Sequence, residues 1–202
     1  MADVADDLGS WEPFTVDKVA AVMGTTDAVW WLSGGQALDR FVGRVTRAHG
    51  DIDVSIRRGD LARTAERLGD RLELKIASGG RLYDLDAGPA AESVHGLWAR
   101  DRGGGGWRVQ INLEPVDGDD WVFRRDPRVR RPLREVVHDL EGLPCVNPAV
   151  QLLWKAKEPL PTDETDLANV LPLLPPDERA WLQAAIALAH PDCPWRSRIE
   201  SA

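Results

Sequence analysis

The stretch from Trp30 to Ile56 constrains the fold of this chain more than any other segment. It reads as an apolar strand, a glycine pair at Gly34 and Gly35, a short helix, and a second strand that alternates polar and apolar residues. A glycine pair between a strand and a helix permits a tight turn whose N–H groups can approach a ligand closely. The segment therefore predicts a strand–turn–helix–strand unit that can bind an anion at the helix N-terminus.

The second strand of this unit carries two aspartates, Asp51 and Asp53, on either side of Ile52. Because successive side chains of a strand point to opposite faces, the two carboxylates share one face. Neighbouring carboxylates repel each other unless a cation lies between them, and Mg²⁺ is commonly held by one or two carboxylates together with substrate phosphates. The glycine turn and the aspartate pair together indicate a site for Mg²⁺ and a nucleotide. The structural alternative is an acidic edge strand beside an ordinary turn.

Polar side chains flank this unit on both sides of its helix. Ser33 can donate to a phosphate oxygen or cap the helix that follows the glycines. Arg44 and Arg47 precede the second strand, where they can clamp a triphosphate, neutralise the aspartates or lie in solvent.

The composition restricts the class of protein. The 202 residues include 43% hydrophobic and 29% charged side chains, which is typical of a soluble globular chain with one generous domain or two small ones. A net charge of −8 argues against nucleic acid as a partner and fits a cationic small substrate slightly better. No segment resembles an export signal or approaches the ~20 apolar residues that a membrane span requires, so we expect a cytoplasmic protein without a membrane association.

The order of predicted elements changes along the chain. A helix is predicted over Val16–Met23, a hairpin around Gly79–Gly80, and an alternating strand over Trp107–Leu113. Beyond residue 143 the chain reads almost wholly as helical. We therefore expect an α+β fold, with a mixed sheet flanked by helices in residues 1–143 and a small C-terminal helical region in residues 144–202.

The chain resembles the nucleotidyltransferases of the DNA polymerase β superfamily, and within them the aminoglycoside 2″-adenylyltransferase and lincosamide nucleotidyltransferase group. The similarity lies in the motifs GGxALDR, GRVTRxHxDIDV, VFRRDPRVRRPL and QLLWKAK, which together extend over most of the chain. It implies a nucleotidyltransferase sheet and transfer of a nucleoside monophosphate, AMP from ATP, to a hydroxyl with loss of pyrophosphate. Mg²⁺ held by Asp51 and Asp53 would bridge the phosphates above Gly34 and Gly35.

The resemblance also implies a phosphate contact from one lysine of the helix predicted over Pro148–Lys157. Its two lysines, Lys155 and Lys157, diverge by about 200° on a helix, so only one can face a shared cleft. The apolar stripe of the helix favours Lys157 as the inward residue and Lys155 as the solvent-facing one.

A third carboxylate on a neighbouring strand is implied as well, either as a metal ligand or as the base that takes the hydroxyl proton. The polar face of the expected strand carries Gln110 and Asn112 instead, and neither amide can act as a base. Glu114 is the next residue on that face and is the predicted base. The rivals on the preceding hairpin are Asp84 and Asp86.

These observations predict a Mg²⁺-dependent nucleotidyltransferase that uses ATP or another nucleoside triphosphate and modifies a hydroxyl of a small molecule, with a cationic aminoglycoside as the implied acceptor. One alternative keeps the chemistry with a lincosamide, a metabolite or a protein side chain as the acceptor. Another is a catalytically degenerate nucleotide-binding domain, consistent with Gln110 in place of a carboxylate. The sequence leaves the acceptor, the nucleotide preference and the oligomeric state open.

Overall fold

The structure is a computed structural model that describes residues 8–86, 88 and 93–201. In chain order its strands are β1 (Trp30–Ser33), β2 (Asp53–Arg57), β3 (Leu72–Ser78), β4 (Arg81–Tyr83), β5 (Gly96–Asp101), β6 (Val109–Glu114), β7 (Val116–Asp117), β8 (Asp120–Val122), β9 (Arg130–Pro132), β10 (Val137–Leu140) and β11 (Leu143–Val146). Its helices are α1 (Val16–Met23), α2 (Gly34–Val42), α3 (Leu61–Gly69), α4 (Leu133–Val136), α5 (Pro148–Lys155), α6 (Pro161–Val170), α7 (Pro176–Ala189) and α8 (Trp195–Glu200). Within this described part, no helix has the length and apolarity needed to cross a membrane.

The chain forms two compact units, each assembled from two separate segments. The first unit comprises the described residues of Met1–Trp30 and Gly50–Glu114, and the second comprises those of Trp31–His49 and Pro115–Ala202. The boundary expected from the sequence, between residues 143 and 144, falls within β11 of the second unit. That two-domain division stays a prediction.

The first unit contains a mixed sheet in the order β2-β6-β5-β3-β4. Strands β2 and β6 are parallel, and the other neighbours are antiparallel. One face of this sheet is apolar and buried. It is made of Val54, Ile56, Leu72, Leu74, Ile76, Leu97, Ala99, Val109, Ile111 and Leu113. Because strand side chains alternate, the polar residues of the same strands lie on the opposite, more accessible face.

The second unit brings together mixed β-structure and the C-terminal helices. Strand β1 is parallel to β11, β11 is antiparallel to β10, and β7, β8 and β9 form a small antiparallel sheet. Helix α5 begins after Asn147, whose side chain accepts a hydrogen bond from the Ala149 N–H, while Pro148 occupies a first-turn position that needs no backbone donor. This helix is largely buried and packs against α2, α6 and α7.

The predicted fold class is confirmed, since both units contain mixed β-structure with helices and the chain ends in helices. Helix α1 has the predicted bounds. The predicted hairpin is formed by β3 and β4 around Gly79 and Gly80, which both have positive φ and so favour a turn that matches the twist of the strands. Strand β5 and the β10–β11 pair were not predicted.

Candidate functional site

Asp53 is the first residue of β2, and Asp51 lies two residues before it, on the other side of Ile52. Ile52 is buried at 1% exposure, while Asp51 is exposed and Asp53 is partly exposed. Because Ile52 points into the core, the two carboxylates share the accessible face of the first unit.

This donor set fits Mg²⁺. Among the residues that the structure describes, no group of three or more His, Cys, Asp or Glu is arranged to hold a metal ion. Mg²⁺ does not need such a cage, because it keeps several waters and is usually bound by one or two carboxylates plus substrate phosphates. Asp51 and Asp53 would supply those carboxylates.

The strand beside β2 brings amides close to Asp53. In the register of β2 and β6, Asp53 lies opposite Gln110 and Ser55 lies opposite Asn112. Asn112 Nδ2 donates to Asp53 Oδ1 at 3.2 Å, Gln110 Nε2 donates to Asn112 Oδ1 at 3.0 Å, and Trp98 Nε1 donates to Gln110 Oε1 at 2.9 Å. These four residues form what we call the amide chain, which extends from β5 through β6 to β2.

Glu114, the predicted base, lies farther along β6. The register places it four residues beyond the level of Asp53, ~13 Å along the strand direction, and its side chain is buried. Asp84 and Asp86 follow β4, at the other end of this unit's strand order, where Asp84 binds Lys75 Nζ at 2.5 Å. The identity of a third carboxylate stays a prediction.

The glycine turn, Gly34 and Gly35, lies in the second unit, and the side chains of Arg47 and His49 lie over it. The Gly34 N–H donates to Gln151 Oε1 at 2.9 Å, so this amide already has a partner in the chain. A Cβ atom on Gly35 would lie 2.5 Å from His49 Cε1 and Nδ1, and closer still to Arg47 Nη2. Position 35 therefore requires glycine, because Arg47 and His49 approach its backbone directly.

His49 is oriented by a buried carboxylate, and the sequence analysis assigned a role to neither residue. His49 Nε2 lies 2.6 Å from Asp39 Oδ2, and Asp39 Oδ1 accepts from the Thr46 N–H at 3.0 Å and the Thr46 hydroxyl at 2.5 Å. The Nε2 edge of the ring thus faces Asp39, and the Nδ1 edge lies nearest the backbone at Gly35. The signal that could have identified the pair is the position of His49, two residues before Asp51.

Arg47 and Lys155 both bind carboxylates of α6. Arg47 Nε and Nη2 donate to the two oxygens of Asp166 at 2.8 and 3.0 Å. Lys155 Nζ lies 2.5 Å from Asp163 Oδ1 and 3.0 Å from Asp166 Oδ2. Burial of Asp166 alone would raise its pKa, but the hydrogen bonds from Arg47 and Lys155 outweigh that effect and hold the pKa below its usual value. The hydrogen bond to Asp166 in turn raises the pKa of Arg47.

The predicted orientation of the two lysines was wrong. Lys155 is the inward residue, with 14% of its side chain exposed, whereas Lys157 is 54% exposed and lies 3.7 Å from Glu158. Helix α5 ends at Lys155, so the helical spacing used for the prediction does not extend to Lys157.

The remaining predicted phosphate contacts also lie in the second unit. Ser33 is buried before α2 and makes no side-chain capping hydrogen bond to that helix. Arg44 is exposed, and its Nη2 donates to Asn169 Oδ1 at 2.7 Å. Their roles, with those of the glycines and lysines, stay predictions.

We expect Asp166→Asn to destabilise the protein by about 3 kcal/mol, because Arg47 would lose its buried carboxylate partner and Lys155 would lose one of its two. Folding lowers the pKa of Asp166 from its usual value of 3.8. The carboxylate therefore contributes fully to stability at pH values well above 3.8, and this contribution is lost as the pH falls through the lower pKa of the folded state. Denaturant unfolding from pH 7 to 3 should show a wild-type advantage that shrinks below about pH 4. Glu158→Gln, in an exposed pair, is the control and should change stability little; an equal loss in both variants would contradict the prediction.

Gly35→Ala should cost about 1–3 kcal/mol, because the added methyl group overlaps Arg47 and His49. Gly69→Ala is a matched control, since a Cβ there meets nothing within 4 Å and alanine favours the helix it ends. Chemical denaturation measures both. Equal stability of the two variants would show that the side chains over the turn move away without cost.

The sequence profile of the aminoglycoside-2″-adenylyltransferase family matches residues 15–75 of this chain. A 2″-aminoglycoside nucleotidyltransferase of Escherichia coli and one of Klebsiella pneumoniae are each 40% identical to it over 80 residues. Each match covers 38% of this chain and 40% of the relative, so the chain spans less than half the length of these curated relatives.

Solved structures of antibiotic nucleotidyltransferases have a similar fold. The lincomycin-bound lincosamide antibiotic adenylyltransferase LnuA gives a TM-score of 0.55 at 17% identity, over 79% of this chain and 98% of the neighbour. The solution structure of ANT(2″)-Ia gives a TM-score of 0.54 at 18% identity, over 92% of this chain and 91% of the neighbour. A crystal structure of ANT(2″)-Ia with adenylyl-2″-tobramycin gives a TM-score of 0.52 at 17% identity, over 85% of this chain and 95% of the neighbour. The resemblance is therefore confirmed: the chain has the nucleotidyltransferase fold, and its residues 15–75 match the aminoglycoside-2″-adenylyltransferase family.

Proposed function

We propose that this chain is a Mg²⁺-dependent nucleotidyltransferase that transfers AMP from ATP to a hydroxyl of an aminoglycoside. The observation that carries the proposal is the pair of carboxylates at Asp51 and Asp53, which share an accessible face within the region matched by the family profile. Curated relatives of that region are named 2″-aminoglycoside nucleotidyltransferases, which supports both the reaction and the class of acceptor.

Asp51 and Asp53 would hold Mg²⁺, which neutralises phosphate charge when it is bound. Their exposure allows a triphosphate to approach from solvent. The acceptor oxygen forms a bond to the α-phosphorus while the bond from that phosphorus to the leaving oxygen breaks, and pyrophosphate departs. The hydroxyl proton must pass to a base or to water in the same reaction.

Within the second unit, two of the cations predicted as phosphate contacts already bind groups of the protein. Arg47 already donates from Nε and Nη2 to Asp166 and from Nη1 to the Ala48 carbonyl. Lys155 is likewise bound to carboxylates of α6. The ring of His49 instead lies with its Nδ1 edge against the backbone at Gly35.

The charge of the chain bears on the class of acceptor. The net charge of −8 favours a cationic small molecule, as an aminoglycoside is. The alternatives with a lincosamide, a metabolite or a protein side chain keep the same donor chemistry and differ in the acceptor alone.

Pyrophosphate release from ATP and Mg²⁺, measured with a panel of aminoglycosides and with lincomycin, tests this function. We expect release with at least one aminoglycoside, and a loss of at least about 100-fold in Asp51→Asn and in Asp53→Asn, because each removes a metal carboxylate. Asp192→Asn changes an exposed carboxylate of the second unit and is the control.

Absence of release with every aminoglycoside, or full activity in both aspartate variants, would refute the proposal. Release with lincomycin alone would keep the chemistry and replace the acceptor.

Glu114→Gln tests the predicted base separately. The register puts Glu114 ~13 Å along β6 from the level of Asp53, whereas a general base acts by direct contact or through one water. A base at Glu114 predicts that the variant loses at least about tenfold in turnover while Mg²⁺-dependent ATP binding, measured by calorimetry, stays unchanged. Wild-type turnover in this variant would exclude Glu114 as the base.

A further inference from the structure

The amide chain of the first unit carries an inference that depends on the proposed function. We propose that Asn112 is a positioning residue that orients Asp53 for the divalent cation. In this site, two carboxylates and an amide then stand where the resemblance implies three carboxylates.

The direction of every hydrogen bond in the amide chain is fixed by its two ends. The indole of Trp98 can only donate, so the oxygen of Gln110 must face it and the Gln110 amide nitrogen must face Asn112. The oxygen of Asn112 therefore accepts from Gln110, and the amide nitrogen of Asn112 donates to Asp53. An ionised carboxylate only accepts, so the chain ends with the polarity that this aspartate requires.

The donor end of the chain is held by aromatic packing. Trp98 contacts Trp11 edge to face with ring centroids 5.0 Å apart, and contacts Trp107 in the same manner at 5.6 Å. Trp107 is buried, and the guanidinium of Arg100 lies over its ring at 4.8 Å. The indole N–H of Trp98 thus has a fixed position, and the strands that carry the chain pair directly with one another.

The distance between Asn112 and Asp53 also determines what a carboxylate at position 112 would do. The Asn112 nitrogen lies 3.2 Å from the carboxylate oxygen of Asp53. A carboxylate in its place would repel Asp53 in the absence of a cation, and would add a ligand when a divalent cation is bound. The amide lowers the negative charge of the site and still holds Asp53 in place.

The test is Mn²⁺ binding in the presence of ATP, followed by electron paramagnetic resonance. We expect Asn112→Leu to bind Mn²⁺ about 10–100-fold more weakly, as loss of a group that orients a metal ligand does. Trp98→Phe keeps an aromatic ring at this position but removes the indole donor, and should give a smaller loss. Asn112→Asp should bind Mn²⁺ more tightly, with a melting temperature below wild type without metal and raised by Mn²⁺. Gln183→Leu, an amide of the second unit, is the control.

The outcomes separate this inference from the proposed function. If Asp53→Asn loses Mn²⁺ binding while Asn112→Leu stays within twofold of wild type, Asn112 does not position Asp53. This inference is then refuted, and the proposed function is not. Unchanged Mn²⁺ binding in Asp53→Asn would overturn the proposed function as well. Should Asn112→Leu fail to fold, Asn112→Asp decides, because a purely structural asparagine predicts no gain in Mn²⁺ affinity at that position.

Discussion

The burial of the apolar residues of β2, and of Ile52 just before it, is the constraint on which the candidate site depends. Ile52, Val54 and Ile56 are each at most 1% exposed, and together they fix which side of the strand faces the core. A slip of one residue would bring these apolar side chains to the surface and bury the acidic ones, at a cost of several buried side chains. The hydrophobic core thus places Asp51 and Asp53 on the side of the chain away from Ile52, where both are at least partly exposed.

The arginine and lysine of the second unit show how local sequence can mislead about charge. Arg47 and Lys155 look like free phosphate-binding cations in a linear motif, yet both bind Asp166, whose side chain is fully buried. A buried carboxylate with two cationic partners stabilises the fold through mutual compensation, and the cations are then poor candidates for a ligand that comes and goes. His49 is held by Asp39, with the Nδ1 edge of its ring against Gly35.

The sequence predicted those features that depend on neighbouring residues. The alternation in β2 and β6, the helix α1 and the glycine hairpin all follow from local periodicity and turn chemistry. Strand β5 was missed, although Leu97 and Ala99 alternate with Trp98 and Arg100, because the small glycine and alanine residues leave a weak apolar pattern. The pairing of Arg47 with Asp166 spans 119 positions, so no local pattern could reveal it. The helical spacing that favours Lys157 as the inward residue does not hold, because α5 ends at Lys155.

The amides beside Asp53 bear on whether the site is an enzyme centre or a degenerate nucleotide-binding domain. A carboxylate pair without a cation is repulsive, and a third carboxylate would add to that repulsion. Donation from Asn112 offsets part of it, so the fold tolerates the metal-free state at a smaller cost. The amides of Gln110 and Asn112 cannot accept a proton, so in the proposed reaction another group or water must take the proton of the acceptor hydroxyl. Loss of that group would lower turnover without removing the carboxylates proposed to hold the metal, so the proposed reaction and the proposed metal binding can be tested separately.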